Sequence, residues 1–305
     1  MSSAFPAFAS LRLRWLMLWY LLGGIVMMPF LPAAADGLRI APAWGRDLIG
    51  FVLALIGLYA LPLGYLCYAK RRAAVPWGEL MGRWRGWPHD GRYALAGLVT
   101  LSTSIAMSTI AAMLLASWWP DWVERYLLNQ YWKASQPSAL AVGLSVLLLV
   151  VVAPVCEELF FRGYLLRRWS TRWGLRRAVL FSSFLFGLLH AQNFLWITCL
   201  GVAMALLTLH AQNLWVPILA HATNNALVLV VGRLFNDGSS TRATVEQLYQ
   251  QAWLLQPFGT IAVAGWGWFI LRHWRAAERR SLWPVDGRSS VVDIQQPAAL
   301  AAAHS

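Results

Sequence analysis

The chain predicts an all-α fold: a polytopic transmembrane helical bundle of about eight spans, and three observations point there. Of its 305 residues, 59% are hydrophobic and 12% charged, where a soluble domain carries about 25% charged residues. Apolar runs approaching the ~20 residues needed to cross a bilayer recur from one end to the other. The basic residues collect at the ends of those runs instead of interrupting them.

Taken in order, the first run, Leu13–Ala34, has a basic start and an Ala-rich end resembling a signal-peptidase site. Its apolar part is long for a signal peptide, so a retained first helix is expected. Leu48–Tyr68 is the second span. The loop after it, "KRRAAVPWGELMGRWRGWPHDGR", mixes Pro, Gly, Trp and Arg, which suits an interfacial segment with its Trp and Arg side chains at headgroup level. Tyr93–Trp118 and Ser138–Leu166 are the third and fourth spans. Val179–His190, Phe194–Leu209 and Leu214–Val231 are shorter. They are kept because an intramembrane site can use short or tilted helices whose irregular joints are buried in protein or face water. Phe258–Leu271 is the last span. The expected organisation is therefore N-terminal helices and an Arg/Trp-rich loop over 1–137 and a core over 138–232. An external loop with the last helix follows over 233–280, then a disordered tail over 281–305, where the periodic pattern decays.

The net charge of +12 raises the question of a nucleic-acid partner, but no groove-sized basic patch with interleaved aromatics is present. The positive-inside rule accounts for the charge better: Arg12 and Arg14, then Lys70 to Arg92, then Arg167 to Arg177, then Arg272 to Arg280 mark alternate ends of the spans. Both termini are placed in the cytoplasm, and the basic face is expected to favour anionic membrane lipids. Among the 25 basic residues only Lys70 and Lys133 are lysines, which points to a GC-rich bacterial genome and hence an inner-membrane location. Cys67, Cys156 and Cys199 all lie in apolar runs, as buried small side chains do.

Ionisable groups inside spans are costly and mark functional sites by default. Few occur here. The fourth span carries Glu157, Glu158 and Arg162, the fifth ends at His190, and the seventh carries His221 with Asn224 and Asn225. Glu158 and Arg162 are i,i+4 and share a helix face, so they form a structural pair, while Glu157 is rotated about 100° away and is left as the reactive carboxylate. His221 and Asn225 share the same spacing, as do Phe186 and His190. At about 1.5 Å per residue, Glu157 lies roughly 15 Å in from Arg167, His190 roughly 20 Å from Arg177, and His221 roughly 12 Å from the turn near Asn213. Three helices thus bring ionisable groups to similar levels. Such a set can activate a water, with Glu157 as general base, a histidine orienting it and a His–Asn pair binding an oxyanion. Glu157, His190 and His221 are also a ligand set that zinc accepts.

The ordered set "EELFFR" (Glu157 to Arg162), "FGLLH" (Phe186 to His190) and "HATNN" (His221 to Asn225) resembles the CPBP family of intramembrane endopeptidases, which includes type II CAAX prenyl proteases and bacteriocin-processing and abortive-infection proteins. Its pattern of EExxxR, FxxxH and HxxxN is intact over about a third of the chain. The resemblance implies that Glu157 activates the attacking water with His190 as its partner, that His221 and Asn225 hold the oxyanion, and that Glu158 and Arg162 support them. It leaves both a metal-free glutamate mechanism and a metalloprotease open. The absence of HExxH removes the strongest zinc signature and favours the metal-free form, with no cofactor. The expected substrate is a membrane-associated peptide or protein. A non-catalytic immunity or regulatory scaffold is the alternative. A proton-coupled transporter fits less well, because no paired halves with broken helices are visible.

Overall fold

The computed structural model describes residues 43–72, 75–128, 138–190, 194–234 and 244–278. Among them there is no strand. We number the helices α1 (43–72), α2 (Trp77–Met81), α3 (Gly91–Ala116), α4 (120–128), α5 (Ala139–Trp173), α6 (Leu175–Leu188), α7 (Phe194–Ala211), α8 (Trp215–Leu234) and α9 (Val245–Glu278). Every expected span that falls on described residues is met by a helix, as it must be where lipid offers the backbone no hydrogen bonds. Four are long and apolar enough to cross a membrane: Leu48–Tyr68 within α1, and α3, α5 and α7. Trp215–Val231 of α8 is a shorter apolar stretch, and α6 has only 14 residues, about 21 Å against a ~30 Å hydrocarbon core. Leu13–Ala34 and the tail 281–305 lie outside the described residues.

Two boundaries differ from the sequence reading. The fourth span does not stop at Leu166 but runs to Trp173, because Leu166–Trp173 turns Leu166, Arg167 and Trp169 inward and so remains a packed helix beyond the apolar run. The last helix begins at Val245, so Glu246 is helical and not part of a loop. Helices α1 and α5 also share an irregularity. A π-helical turn, Leu55–Ala60 or Leu147–Val152, stands two residues before Pro62 or Pro154. A proline donates no N–H and crowds the preceding turn, so the ladder there widens.

In the packing, α3 lies against α8 and α9, α6 against α7, and α5 enters the middle. Phe160, Phe161, Tyr164, Phe186 and Met204 are buried there. The outward faces are apolar too, with Leu114, Phe181, Ile261 and Leu271 exposed, as expected of side chains that meet lipid tails.

The segment after α1 is not a loose interfacial loop. Gly82, at φ 73°, lies so close to Asn213 that a Cβ would meet its Cα at 2.7 Å, and Leu214 N–H donates to Met81 O at 2.7 Å. Asp90 is fully buried. It accepts from Arg85 N–H at 2.8 Å, from Arg85 Nε at 3.0 Å, from His89 Nδ1 at 2.9 Å and from Asn213 Nδ2 at 3.2 Å. Asn213 Oδ1 in turn accepts from Val216 N–H at the start of α8. Arg167, which the charge pattern placed at a span end, is fully buried and donates from Nη2 to Leu80 O at 2.9 Å. A carbonyl at the exposed end of a short helix needs a donor, and a guanidinium supplies one.

Burial pushes the Asp90 carboxyl upward, but hydrogen bonds from Arg85 and His89 outweigh it and hold the group below the usual carboxylate range. A depressed carboxyl contributes stability that is present above its unfolded pKa and is lost as the pH falls through the folded one. Asp90→Asn is expected to lower stability near neutral pH by about 1–3 kcal/mol, with the gap to wild type closing once the solution is acidic enough to protonate the native Asp90. Thermal unfolding of the detergent-solubilised protein over that pH range checks it.

Candidate active site

The two glutamates sit in Ala153–Glu158, a short α-helical stretch of α5 flanked by the π-helical turns Leu147–Val152 and Leu159–Leu165. Glu158 and Arg162 are both buried, at 0% and 1% exposure, and their side chains pair at 3.0 Å. The expected i,i+4 pair is therefore formed. Arg162 goes further: Nη2 donates to Gly201 O of α7 at 3.1 Å, and its guanidinium lies 4.6 Å over the Phe186 ring of α6. Gly201 is needed there, since a Cβ on it would press on Ser183 Cβ of α6 at 2.9 Å.

His221 of α8 completes this group. Its Nδ1 is 3.0 Å from Glu158 Oε1, and its Nε2 is 3.9 Å from Glu157 Oε2. Against an ionised carboxylate Nδ1 must be the donor, which leaves the lone pair of a neutral imidazole on Nε2, facing Glu157. Glu157 Oε2 is buried with no hydrogen-bond partner among the described residues. Two acceptors therefore face each other across a gap too long for a direct hydrogen bond. On its other oxygen, Oε1, Glu157 accepts from Tyr59 Oη of α1 at 3.3 Å.

His190 also packs against Phe186. The Phe186 ring is 4.7 Å from His190 and 6.0 Å from His221, centroid to centroid, and His190 Nδ1 bonds Phe186 O at 2.7 Å. Neither a hydrogen bond nor an ion pair joins His190 to Glu157. The i,i+4 spacing of Phe186 and His190 thus brings the two rings together at a tilt of 56° just past α6, with Nε2 of His190 in no hydrogen bond among the described residues.

Asn225 is held elsewhere in the same region. Its Nδ2 donates to Leu149 O of α5 at 2.8 Å, and it accepts from Asn224 Nδ2 at 3.2 Å. Asn224 Oδ1 accepts from Thr100 Oγ1 of α3 at 3.0 Å. The Leu149 carbonyl is available for a simple reason. Ala153 N–H bonds Leu148 O in the π register, so the next donor in that register belongs to Pro154, which has none.

Of the seven residues singled out from the sequence, Glu157, Glu158, Arg162, Phe186, His221 and Asn225 fall on three helices, and His190 lies in the turn after α6. The structure joins Glu158 directly to His221 and to Arg162, Arg162 to the Phe186 ring and Phe186 O to His190, and sets Glu157 3.9 Å from His221. Sequence reasoning missed Tyr59, whose contact spans 98 positions, and missed the role of Glu158 as the partner of His221. A hydroxyl inside an apolar span was the available signal for the first; no spacing rule links α5 to α8 for the second. Among the described residues no three His, Cys, Asp or Glu side chains gather as a metal-binding group. Glu157, His190 and His221 are thus not gathered as a ligand set among the described residues.

Comparison with known proteins matches the same stretch. The family described as "Type II CAAX prenyl endopeptidase Rce1-like" matches residues 139–227, which contain α5 to most of α8. The chain is 32% identical over 93 residues to the "Putative membrane peptidase YdiL" of Bacillus subtilis, an alignment covering 30% of this chain and 38% of that protein. No solved structure matches the chain. With the apolar helices, these matches support an integral membrane protein whose residues 139–227 are similar to type II CAAX prenyl endopeptidases and to the "Putative membrane peptidase YdiL".

Proposed function

We propose that the chain is an intramembrane endopeptidase of the metal-free, glutamate-activated kind. The observation that carries this is the pair of facing acceptors, Glu157 Oε2 and His221 Nε2, 3.9 Å apart. Two acceptors at that spacing suit one water, which can donate a proton to each. A water so held has its oxygen lone pair exposed and a base already at its hydrogen. As it attacks a peptide carbonyl carbon, the C–O bond forms, the π electrons move to the carbonyl oxygen, and the water proton passes to Glu157.

The remaining residues have separate tasks in this reading. Glu158 fixes the tautomer of His221, as a carboxylate does for a base histidine, and Arg162 holds Glu158 in place through their ion pair. His190, with Nδ1 committed to Phe186 O, has Nε2 free to exchange a proton with the leaving amine when the C–N bond breaks. Asn225, anchored between Leu149 O and Asn224, lies where an amide can turn to the developing oxyanion. The substrate class is a membrane-associated peptide or protein cut near its C-terminus or leader. The setting is a bacterial inner membrane with both termini cytoplasmic, anionic lipid around the basic face and no nucleic-acid partner.

The test is cleavage of a quenched fluorescent peptide library by the detergent-purified protein. Glu157→Gln is expected to lower kcat/KM by about 10²- to 10⁴-fold, with wild-type activity surviving a zinc chelator. Activity lost to chelator alone would reverse the metal-free assignment, and full activity in Glu157→Gln would favour a scaffold or another catalytic group.

Arg162→Lys tests the support beneath. A lysine has one point charge and cannot reach Glu158, Gly201 O and the Phe186 ring together. Lowered activity with a lowered melting temperature is expected, whereas Arg162→Leu, which strands a buried carboxylate, should cost about 3–5 kcal/mol of stability. Unchanged melting of the leucine variant would show that the pair is not a structural anchor.

A further inference from the structure

Tyr59 lies outside the residues matched by the peptidase family and is not part of the motif set, yet it donates to the candidate base. It stands on the π-helical turn Leu55–Ala60 of α1 and is 7% exposed. Its ring packs against Ala153 and Cys156, on the turn of α5 that leads into Glu157. A phenylalanine would fill the same space with no polar atom to desolvate. Burying a hydroxyl costs about 1–3 kcal/mol unless it finds a partner. Here the partner is Glu157 Oε1, at 3.3 Å.

The geometry of a carboxylate turns that contact into a constraint on its second oxygen. The two oxygens are rigidly related, so fixing Oε1 on the α1 side fixes where Oε2 points. Oε2 is the oxygen that faces His221 Nε2 and has no other partner among the described residues. Without the phenol, the side chain of Glu157 would be free to rotate Oε2 out of that gap, since no other hydrogen bond among the described residues restrains it. The widened turn in α1, two residues before Pro62, is the local distortion that accompanies the placement of this side chain. Such turns often accompany functional residues in helices.

We propose that Tyr59 is a positioning residue for the hydrolytic water, its O–H holding Glu157 Oε1 so that Oε2 faces His221. The peptidase core at 139–227 would then be incomplete without α1, which supplies a hydrogen-bond donor from the opposite side of the carboxylate. This rests on the glutamate-activated hydrolysis proposed above.

The experiment compares wild type, Tyr59→Phe and Glu157→Gln of the full chain in detergent, by steady-state cleavage of a peptide found in the library and by infrared spectroscopy. Tyr59→Phe keeps the ring and removes only the donor. It is expected to lower kcat by about 10- to 100-fold with KM unchanged and the melting temperature at or near that of wild type, and 3-fluorotyrosine at position 59, which retains an O–H, should restore kcat. The wild type minus Glu157→Gln infrared difference contains the carboxyl bands of Glu157, and these are expected to shift in Tyr59→Phe. Wild-type kcat in Tyr59→Phe while Glu157→Gln is inactive overturns the positioning role and leaves the hydrolytic reading standing. Full activity in Glu157→Gln overturns the hydrolytic reading and the role with it. Carboxyl bands unmoved by Tyr59→Phe show that the contact does not hold the carboxylate and overturn the inference even where no peptide is cleaved.

Discussion

Burying Glu158 and Arg162 together is the constraint around which this bundle is arranged. An isolated charge inside lipid-embedded protein is costly, and a buried pair is tolerated only when its remaining donors and acceptors are also engaged. Arg162 engages them by reaching a carbonyl of α7 and lying over an aromatic ring of α6, while Glu158 takes the imidazole of α8. One ion pair therefore ties α5 to three neighbouring helices. It also decides the chemistry next to it, since the imidazole that satisfies Glu158 presents its other nitrogen to Glu157. The helix packing and the pairing of Glu157 with His221 are two consequences of the same desolvated charge.

A second polar network does comparable work at another edge of the bundle. Asp90, Arg85 and Asn213 bind the 75–90 segment to the start of α8, and Arg167 holds α2 against the end of α5. Both helices that carry the facing acceptors are thus clamped at one end by hydrogen bonds and near their middle by the ion pair. Preorganisation of this kind matters for a site that uses a positioned water, because misplacement of a base by about 1 Å can cost roughly 10²-fold in rate.

The irregular helical turns belong to the same economy of hydrogen bonds. Pro154 leaves a carbonyl of α5 without a partner in its own helix, and the amide of Asn225 supplies one from α8. The broken ladder becomes an attachment point between helices. In a soluble protein water could have satisfied that carbonyl; within lipid only protein can.

The sequence by itself determined the helical class, a helix at each expected span among the described residues, and the Glu158–Arg162 pairing. Each of these follows from local periodicity: an apolar run must become a helix in lipid, and an i,i+4 pair must share its face. The resemblance of the three motifs to membrane peptidases was legible as well, because motif order and spacing are linear properties. What tertiary structure alone decided is which residue meets which across helices. Glu158 was legible as the partner of Arg162 but not of His221, Glu157 looks to Tyr59 and His221 while His190 bonds the Phe186 carbonyl, and Arg167 and Asp90 are buried although their neighbours mark them as surface charges. The reason is that helix rotation and crossing are fixed by packing and by the need to satisfy every buried polar atom at once, and that condition is written in no single segment of the chain.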